Sequence, residues 1–229
     1  EDLDRVDHSG ITLKEAMYKQ GFLPHLMKDA VLKDVKCYLE LHIEQGKILE
    51  EANASVGIVS GIAGPLWKQY KIVGTAEHAG ATPMSMRKDP IVAASHIISK
   101  IEQLARQYAN AVATVGKIQA HPNGINVIAS EVTFTVDIRD IDLAIRDDLE
   151  QQIEEFVLKT VKERQLSYEV QTLQRIPSVL CDSSIQTAIH KATEKLGITP
   201  ITLPSGAGHD AMQFHYLFPI GMIFVCSKE

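Results

Sequence analysis

Hydrophobic and polar positions follow two periods along this chain. From Tyr38 to Glu44 the period is two. Leu39, Leu41 and Ile43 fall on one side, and Tyr38, Glu40, His42 and Glu44 on the other, which predicts a strand with one polar face. Trp67–Ala76, Ala111–Gln119, Glu131–Ile138 and Ser167–Leu173 also read as strands, the alternation being cleanest in Glu131–Ile138. The helical period governs two longer stretches. Asp89-Pro90 caps a helix predicted to run to about Asn110, with Ile91, Ala94, Ile97, Ile98 and Ile101 on one face. Leu143–Arg164 is predicted as an amphipathic helix with Leu149, Ile153, Phe156, Val157 and Val161 inward. Near the start, Thr12 and Glu15 have the spacing of a capping box, and Gly21 and Pro24 end the helix it opens. Ser184–Leu196 reads as a further helix, and Pro219–Cys226 as a short apolar strand of the kind buried in parallel sheets. Ser55–Gly64 holds three glycines and is followed by Pro65, so it reads as the crossing into a second domain.

The order of elements between residues 65 and 178 is β-α-β-β-α-β, the split βαβ pattern of four strands with two helices on one face. Residues 1–64 and 179–229 then belong together as one α/β domain that this smaller α+β domain interrupts.

Composition narrows the function. A net charge of −6 over 229 residues argues against nucleic acid as a partner. No apolar run is long enough for a membrane helix, and Glu1-Asp2-Leu3-Asp4-Arg5 lacks the apolar segment of a signal peptide. Three widely spaced cysteines, Cys37, Cys181 and Cys226, argue against a disulfide framework or a cysteine zinc site and fit the reducing cytoplasm.

Four stretches carry candidate chemistry. In Leu39-Glu40-Leu41-His42-Ile43-Glu44-Gln45-Gly46, a histidine sits near the carboxyl end of a strand, where α/β sheets place their sites; a surface histidine is the plain alternative. In Glu77-His78-Ala79-Gly80-Ala81-Thr82-Pro83-Met84, followed by Arg87, small residues leave room beside His78, although a simple turn would look the same. Asn126 follows a turn, and Arg139 ends a strand as a natural fork for a carboxylate, unless it pairs with Asp137 or Asp140. In Pro204-Ser205-Gly206-Ala207-Gly208-His209-Asp210-Ala211, two glycines expose backbone amides beside His209, while Asp210 has the alternative of capping a helix. No GxGxxG, Walker, HExxH or GxSxG motif occurs, which leaves nucleotide binding and serine hydrolysis without support.

Together LELHIEQG, EHAGATPMSMRKDP, the Asn126/Arg139 pair and SGAGHDAM resemble the N-carbamoyl-L-amino acid hydrolase and allantoate amidohydrolase family, which is M20 peptidase-like. The resemblance covers essentially the whole chain, in order. It implies a di-zinc exopeptidase-like catalytic domain interrupted by a dimerisation domain, here residues 65–178, and a homodimer. It implies two zinc ions per complete subunit, for which manganese, cobalt or nickel are substitutes. His42 would be a metal ligand, and Gln45 would line the substrate pocket. His78 would reach the partner subunit's site and steady the developing oxyanion. Asn126 and Arg139 would hold the substrate carboxylate across the dimer, Gly206 would offer backbone contact, and His209 would sit beside the reacting group. The substrate would be a small molecule with a carboxylate and a ureido group.

The chain departs from that family at both ends. Upstream motifs with the first metal histidine, a bridging aspartate and a glutamate pair are missing, and the last metal histidine would fall just beyond Ser227-Lys228-Glu229. With His42 alone retained, the chain is expected to bind metal weakly or not at all, to be inactive by itself, and to expose apolar surface. An aminoacylase or dipeptidase of the same superfamily is one rival reading, and a non-catalytic dimerisation fragment is another.

Overall fold

Thr12 caps the first helix as its spacing requires. In the computed structural model, which describes residues 2–227, the Glu15 amide donates to Thr12 Oγ1 at 3.1 Å and the Thr12 amide to Glu15 Oε2 at 2.8 Å, opening α1 (Leu13–Lys19). Gly21, at φ +82°, turns the chain out of the helix, and Pro24–Ala30 forms a 3₁₀ stretch. These elements lie in residues 1–36, which pack as one unit; residues 37–229 pack as another. Glu1, Lys228 and Glu229, which the expectations for 1–64 and 179–229 include, lie outside the described residues.

The second unit holds two sheets. Its elements in chain order are β1 (Tyr38–Ile43), α2 (Ile48–Glu51), β2 (Val56–Ile62), β3 (Leu66–Val73), α3 (Pro90–Ala105), β4 (Val112–His121), β5 (Glu131–Arg139), α4 (Leu143–Glu163), β6 (Ser167–Arg175), β7 (Val179–Leu180), α5 (Ser183–Lys195), β8 (Ile201–Ser205), α6 (Ala211–Phe214) and β9 (Ile220–Val225). The four-stranded sheet is antiparallel in the order β4-β5-β3-β6, as the split βαβ pattern demands. Its strands bury alternate residues against α3 and α4: Leu66, Tyr70 and Ile72 from β3 meet Ile97, Ile101, Leu149, Ile153 and Val157. Asp89 caps α3 by accepting from the Ile91 and Val92 amides, but the helix ends at Ala105 rather than near Asn110.

The five-stranded sheet runs β1-β9-β2-β7, with β8 also on β2. β9 lies parallel to β1 and antiparallel to β2. One feature differs from expectation. The glycine-rich stretch read as connecting chain is strand β2, and only residues 63–65 cross to the second sheet. Its glycines mark close approach rather than turning: a Cβ on Gly61 would lie 2.8 Å from the Val179 carbonyl oxygen, and one on Gly64 would lie 2.2 Å from that of Ile176. On β1 the polar side faces inward, and the exposed apolar surface expected of this chain is found on the other side, where Leu39 and Leu41 are 53% and 66% exposed. They wall a groove of about 550 Å³ with Ile185, Ala188, Leu196 and Val225. Among the described residues, no helix is long and apolar enough to cross a membrane.

Candidate metal and substrate site

The inward face of β1 carries two of the candidate ligands. Glu40 and His42 point the same way because they are two residues apart on a strand. The loop after β8 brings His209 against them, so that one ligand atom from each of Glu40, His42 and His209 lies within 4.8 Å of the others. The His42 and His209 rings meet edge to face, with centroids 4.7 Å apart. His42 Nδ1 lies 2.8 Å from the Ile43 carbonyl oxygen; a carbonyl only accepts, so Nδ1 carries the proton and Nε2 keeps its lone pair for a cation.

His209 is held from both sides. Ser205 Oγ, fully buried, lies 2.7 Å from Nε2, and Glu40 Oε1 lies 3.5 Å from Nδ1. Ser205 Oγ also accepts from the Ala207 amide at 3.2 Å and lies 3.0 Å from the Ala207 carbonyl. Two proton arrangements satisfy these contacts. In one, Ser205 donates to His209 and Nδ1–H faces Glu40. In the other, Ser205 donates to Ala207, Nε2–H donates to Ser205, and the bare Nδ1 faces the carboxylate. Two acceptors then oppose each other, an arrangement that a bound cation relieves. Burial holds the His209 pKa below the usual imidazole value, assisted by His42 and opposed by Glu40 and Asp210, which favours the neutral ring a metal needs. Two imidazoles and a carboxylate form a three-ligand set suited to zinc and its neighbours.

Glu40 also accepts from the Ala211 amide at 2.8 Å. It thereby does for α6 what Asp210 was the alternative candidate to do; Asp210 makes no side-chain cap. Glu44 is not part of this cluster: it is buried and accepts from the Ile48 and Leu49 amides at 2.8 and 3.0 Å, starting α2. Gln45 follows in the left-handed region at φ +57°, exposed at the strand end.

Arg139 reaches the same loop from the other sheet. Its Nη1 donates to the Gly206 carbonyl at 2.7 Å, while Nε and Nη2 grip Asp137 at 2.9 and 2.7 Å. The Asp137 pairing raises the Arg139 pKa further, against the opposing effect of burial. A guanidinium has five N–H donors; these contacts engage three and leave two for a ligand.

His78 and Asn126 form a separate group. His78 bridges to Val127, and the Ala79 amide donates to the Asn126 carbonyl at 2.9 Å. His78 Nδ1 accepts from the Gly80 and Ala81 amides at 3.0 and 3.2 Å, which places its proton on the exposed Nε2 as a donor. Arg87 fastens the loop through the Thr82 and Ala79 carbonyls. This group joins the sheet beyond Val73 and Glu131, whereas Arg139 lies at the opposite end of β5. At about 3.3 Å per residue the two ends are roughly 25 Å apart. The structure therefore gathers His42, His209, Gly206 and Arg139 and holds His78 and Asn126 away from them, so the expected Asn126/Arg139 pair is split: Arg139 lies beside Gly206 of its own chain and not with Asn126.

Sequence reasoning singled out His42 and His209 but missed Glu40 and Ser205. The signal for Glu40 was present in its i, i+2 relation to His42.

Residues 15–229 match peptidase family M20/M25/M40, and the chain belongs to that family. Among curated proteins it is 46% identical to an N-carbamoyl-L-amino acid amidohydrolase of Geobacillus stearothermophilus over 100% of this chain and 56% of that one. It is 33% identical to an allantoate amidohydrolase of Bacillus subtilis (strain 168), covering 97% of this chain and 54% of the relative. A hydantoinase/carbamoylase family amidase from Burkholderia multivorans superposes with a TM-score of 0.89 at 31% identity, covering 98% of this chain and 55% of that structure. The chain thus spans about half the length of the relatives it matches.

Proposed function

We propose that this chain carries part of the active site of a metal-dependent amidohydrolase that cleaves the ureido C–N bond of N-carbamoyl-L-amino acids or allantoate. The observation that carries this reading is the convergence of Glu40, His42 and His209 beside Gly206 and the free edge of Arg139. Glu40, His42 and His209 would hold a divalent ion, zinc or one of manganese, cobalt and nickel. Such an ion, when bound, polarises an unreactive urea carbonyl and supplies hydroxide at neutral pH.

The chain's own groups would divide the remaining tasks. Arg139, through its two unengaged N–H groups, orients the substrate carboxylate. Gly206 and Gln45 would line the pocket. His78 offers a fixed Nε2–H donor to the oxygen on which charge develops, a contact of the kind worth about 3 kcal/mol. The roughly 25 Å between His78 and Arg139 means that one copy does not supply both to one site. A homodimer formed through residues 65–178, with His78 and Asn126 entering the partner's site, resolves this. The three cysteines are free thiols, in keeping with a cytoplasmic protein.

The test has two parts. Titration of the 229-residue chain with zinc should show one ion, with affinity lowered at least about tenfold in His42→Ala and Glu40→Ala; affinity unchanged from the parent in both variants sinks the metal assignment. In a protein spanning the family's full length, N-carbamoyl-L-leucine should be hydrolysed and N-acetyl-L-leucine should not. Inactive Arg139→Ala and His78→Ala chains, mixed, should regain activity if each site draws on two copies; no recovery refutes the shared site. The 229-residue chain alone should not turn over substrate.

A further inference from the structure

The open face of the four-stranded sheet is polar along most of its length. Odd positions of β3 point to it, and the cross-strand rows there pair Gln69 with Thr135 and Lys71 with Thr133. At the Arg139 end the character changes. Trp67, Val112 and Leu173 stand on it 39%, 51% and 46% exposed, around a cavity of about 470 Å³ that Arg139 and Gly206 close on one side. The register explains the grouping: Trp67 lies opposite Asp137, and Val112 lies opposite Arg139. Leu173 enters through the irregular pairing of β6 next to Trp67. Large apolar side chains left in water beside a guanidinium with two unengaged N–H groups mark a ligand surface, and the volume falls within the range of about 300–1,000 Å³ typical of small-molecule sites.

We propose that this cavity is the side-chain subsite for the amino-acid part of the substrate, with Trp67 as its specificity-determining residue. The inference rests on the ureido-acid reading above and deepens it. The substrate carboxylate takes the two remaining N–H groups of Arg139. Its hydrocarbon side chain then lies against Trp67, Val112 and Leu173. Asp137 balances the charge of Arg139, so the carboxylate is held by directed hydrogen bonds and the neighbouring apolar wall supplies the discrimination. N-carbamoyl amino acids with branched or aromatic side chains are favoured. Allantoate, whose second substituent is another ureido group, would press unpaired polar atoms against the wall.

Trp67 is the chain's single tryptophan, so its emission reports this cavity directly. The 229-residue chain is titrated with N-carbamoyl-L-leucine, N-carbamoylglycine, allantoate and N-acetyl-L-leucine. N-carbamoyl-L-leucine is expected to give a saturable change, with affinity at least about tenfold above that for N-carbamoylglycine and allantoate. By calorimetry, Trp67→Ala should bring its affinity down to that of N-carbamoylglycine, and Trp67→Phe should keep most of it. Equal affinities for N-carbamoyl-L-leucine and N-carbamoylglycine, tighter binding of allantoate, an unchanged preference in Trp67→Ala, or no saturable change with any ligand overturns the proposal. Binding of N-acetyl-L-leucine as tight as that of N-carbamoyl-L-leucine supports the side-chain subsite while removing the ureido reading on which it was built.

Discussion

Replacing Lys68 with methionine tests how the smaller sheet is fastened to its helices. Lys68 lies on the buried side of β3, 5% exposed, with Nζ 2.6 Å from Glu150 and in contact with Glu154, both on α4. Burial alone would lower the Lys68 pKa, but the two carboxylates outweigh it and the net shift is upward. Burial would likewise raise Glu150, but Lys68 and Arg175 hold it below the usual carboxylate value. Removing one partner of a buried pair costs about 3–5 kcal/mol, because the other charge stays buried. Two facts place Lys68→Met at the low end. The Glu154 side chain is 44% exposed, so its share is screened to within about 1 kcal/mol. Arg175 remains bonded to Glu150. A loss of about 3 kcal/mol follows, equivalent to a fall of about 1.5 M in the urea midpoint for a slope near 2 kcal/mol/M. Trp67, next along the strand, reports the transition by fluorescence. The double variant Lys68→Met/Glu150→Leu should regain most of the loss, since it no longer buries a carboxylate that has lost its lysine, and Arg175 keeps Asp147 as a partner. A Lys68→Met midpoint within about 0.3 M of the parent, a difference expected only of a surface pair, or a double variant no more stable than the single one, would falsify this account.

The same pair sets a pH dependence. Glu150 has a folded pKa below the usual carboxylate value, so its contribution is present above that unfolded value and is lost as pH falls through the folded one; Lys68→Met should flatten this acid limb in urea midpoints measured from about pH 3 to 6. Gly64→Ala should cost about 1–3 kcal/mol, because its Cβ meets the backbone at Ile176 and Pro177, whereas Gly116→Ala, with nothing within 4 Å, serves as a packing control in the same unfolding assay. Arg146, 3% exposed, donates to the Gly64 and Ile176 carbonyls at 3.2 and 2.6 Å, tying together the two segments that cross between the sheets; Arg146→Met should speed hydrogen exchange at the Ile176 amide, and unchanged protection there would refute the role. Burial pushes the Cys181 thiol up to about 11, so at neutral pH a thiol reagent should label exposed Cys37 quickly and Cys181 only after unfolding.

The smaller sheet was legible because its elements carry strong local signals. Asp89 before Pro90, the alternation of Glu131–Ile138 and the helical period of Leu143–Arg164 each fix an element without help from elsewhere. The larger sheet was less so. β2 was hidden by glycines that serve interstrand contacts, and a sequence does not distinguish a glycine needed for closeness from one needed for a turn. β8 and the two-residue β7 are defined by pairing to β2 and have little pattern of their own. The resemblance led to His42, His209 and Arg139, but not to Ser205, whose role depends on a loop folding back over four residues. The plain alternative for Arg139, pairing with Asp137, also holds, and it leaves two donors free for a ligand.

Glu40 was passed over for a more general reason. Alternation identifies two faces of a strand, and the usual inference assigns the polar one to solvent. In β1 the assignment is reversed. Glu40 and His42 are half-buried on the inward face, which partly desolvates a carboxylate, while Leu39, Leu41 and Ile43 are exposed on the other. The local compensation is specific: the Ala211 amide bonds to Glu40, and the Ile43 carbonyl orients His42. Neither contact requires Glu40 to lie beside His209, since an amide alone would satisfy one of its oxygens. A carboxylate placed next to two imidazoles, with one oxygen held by the backbone and the other turned toward His209 Nδ1, has a site for a proton or a cation built into its geometry. The inward polar face of β1 and the donor cluster thus coincide: Glu40 and His42 meet His209 on the side of the strand turned away from solvent.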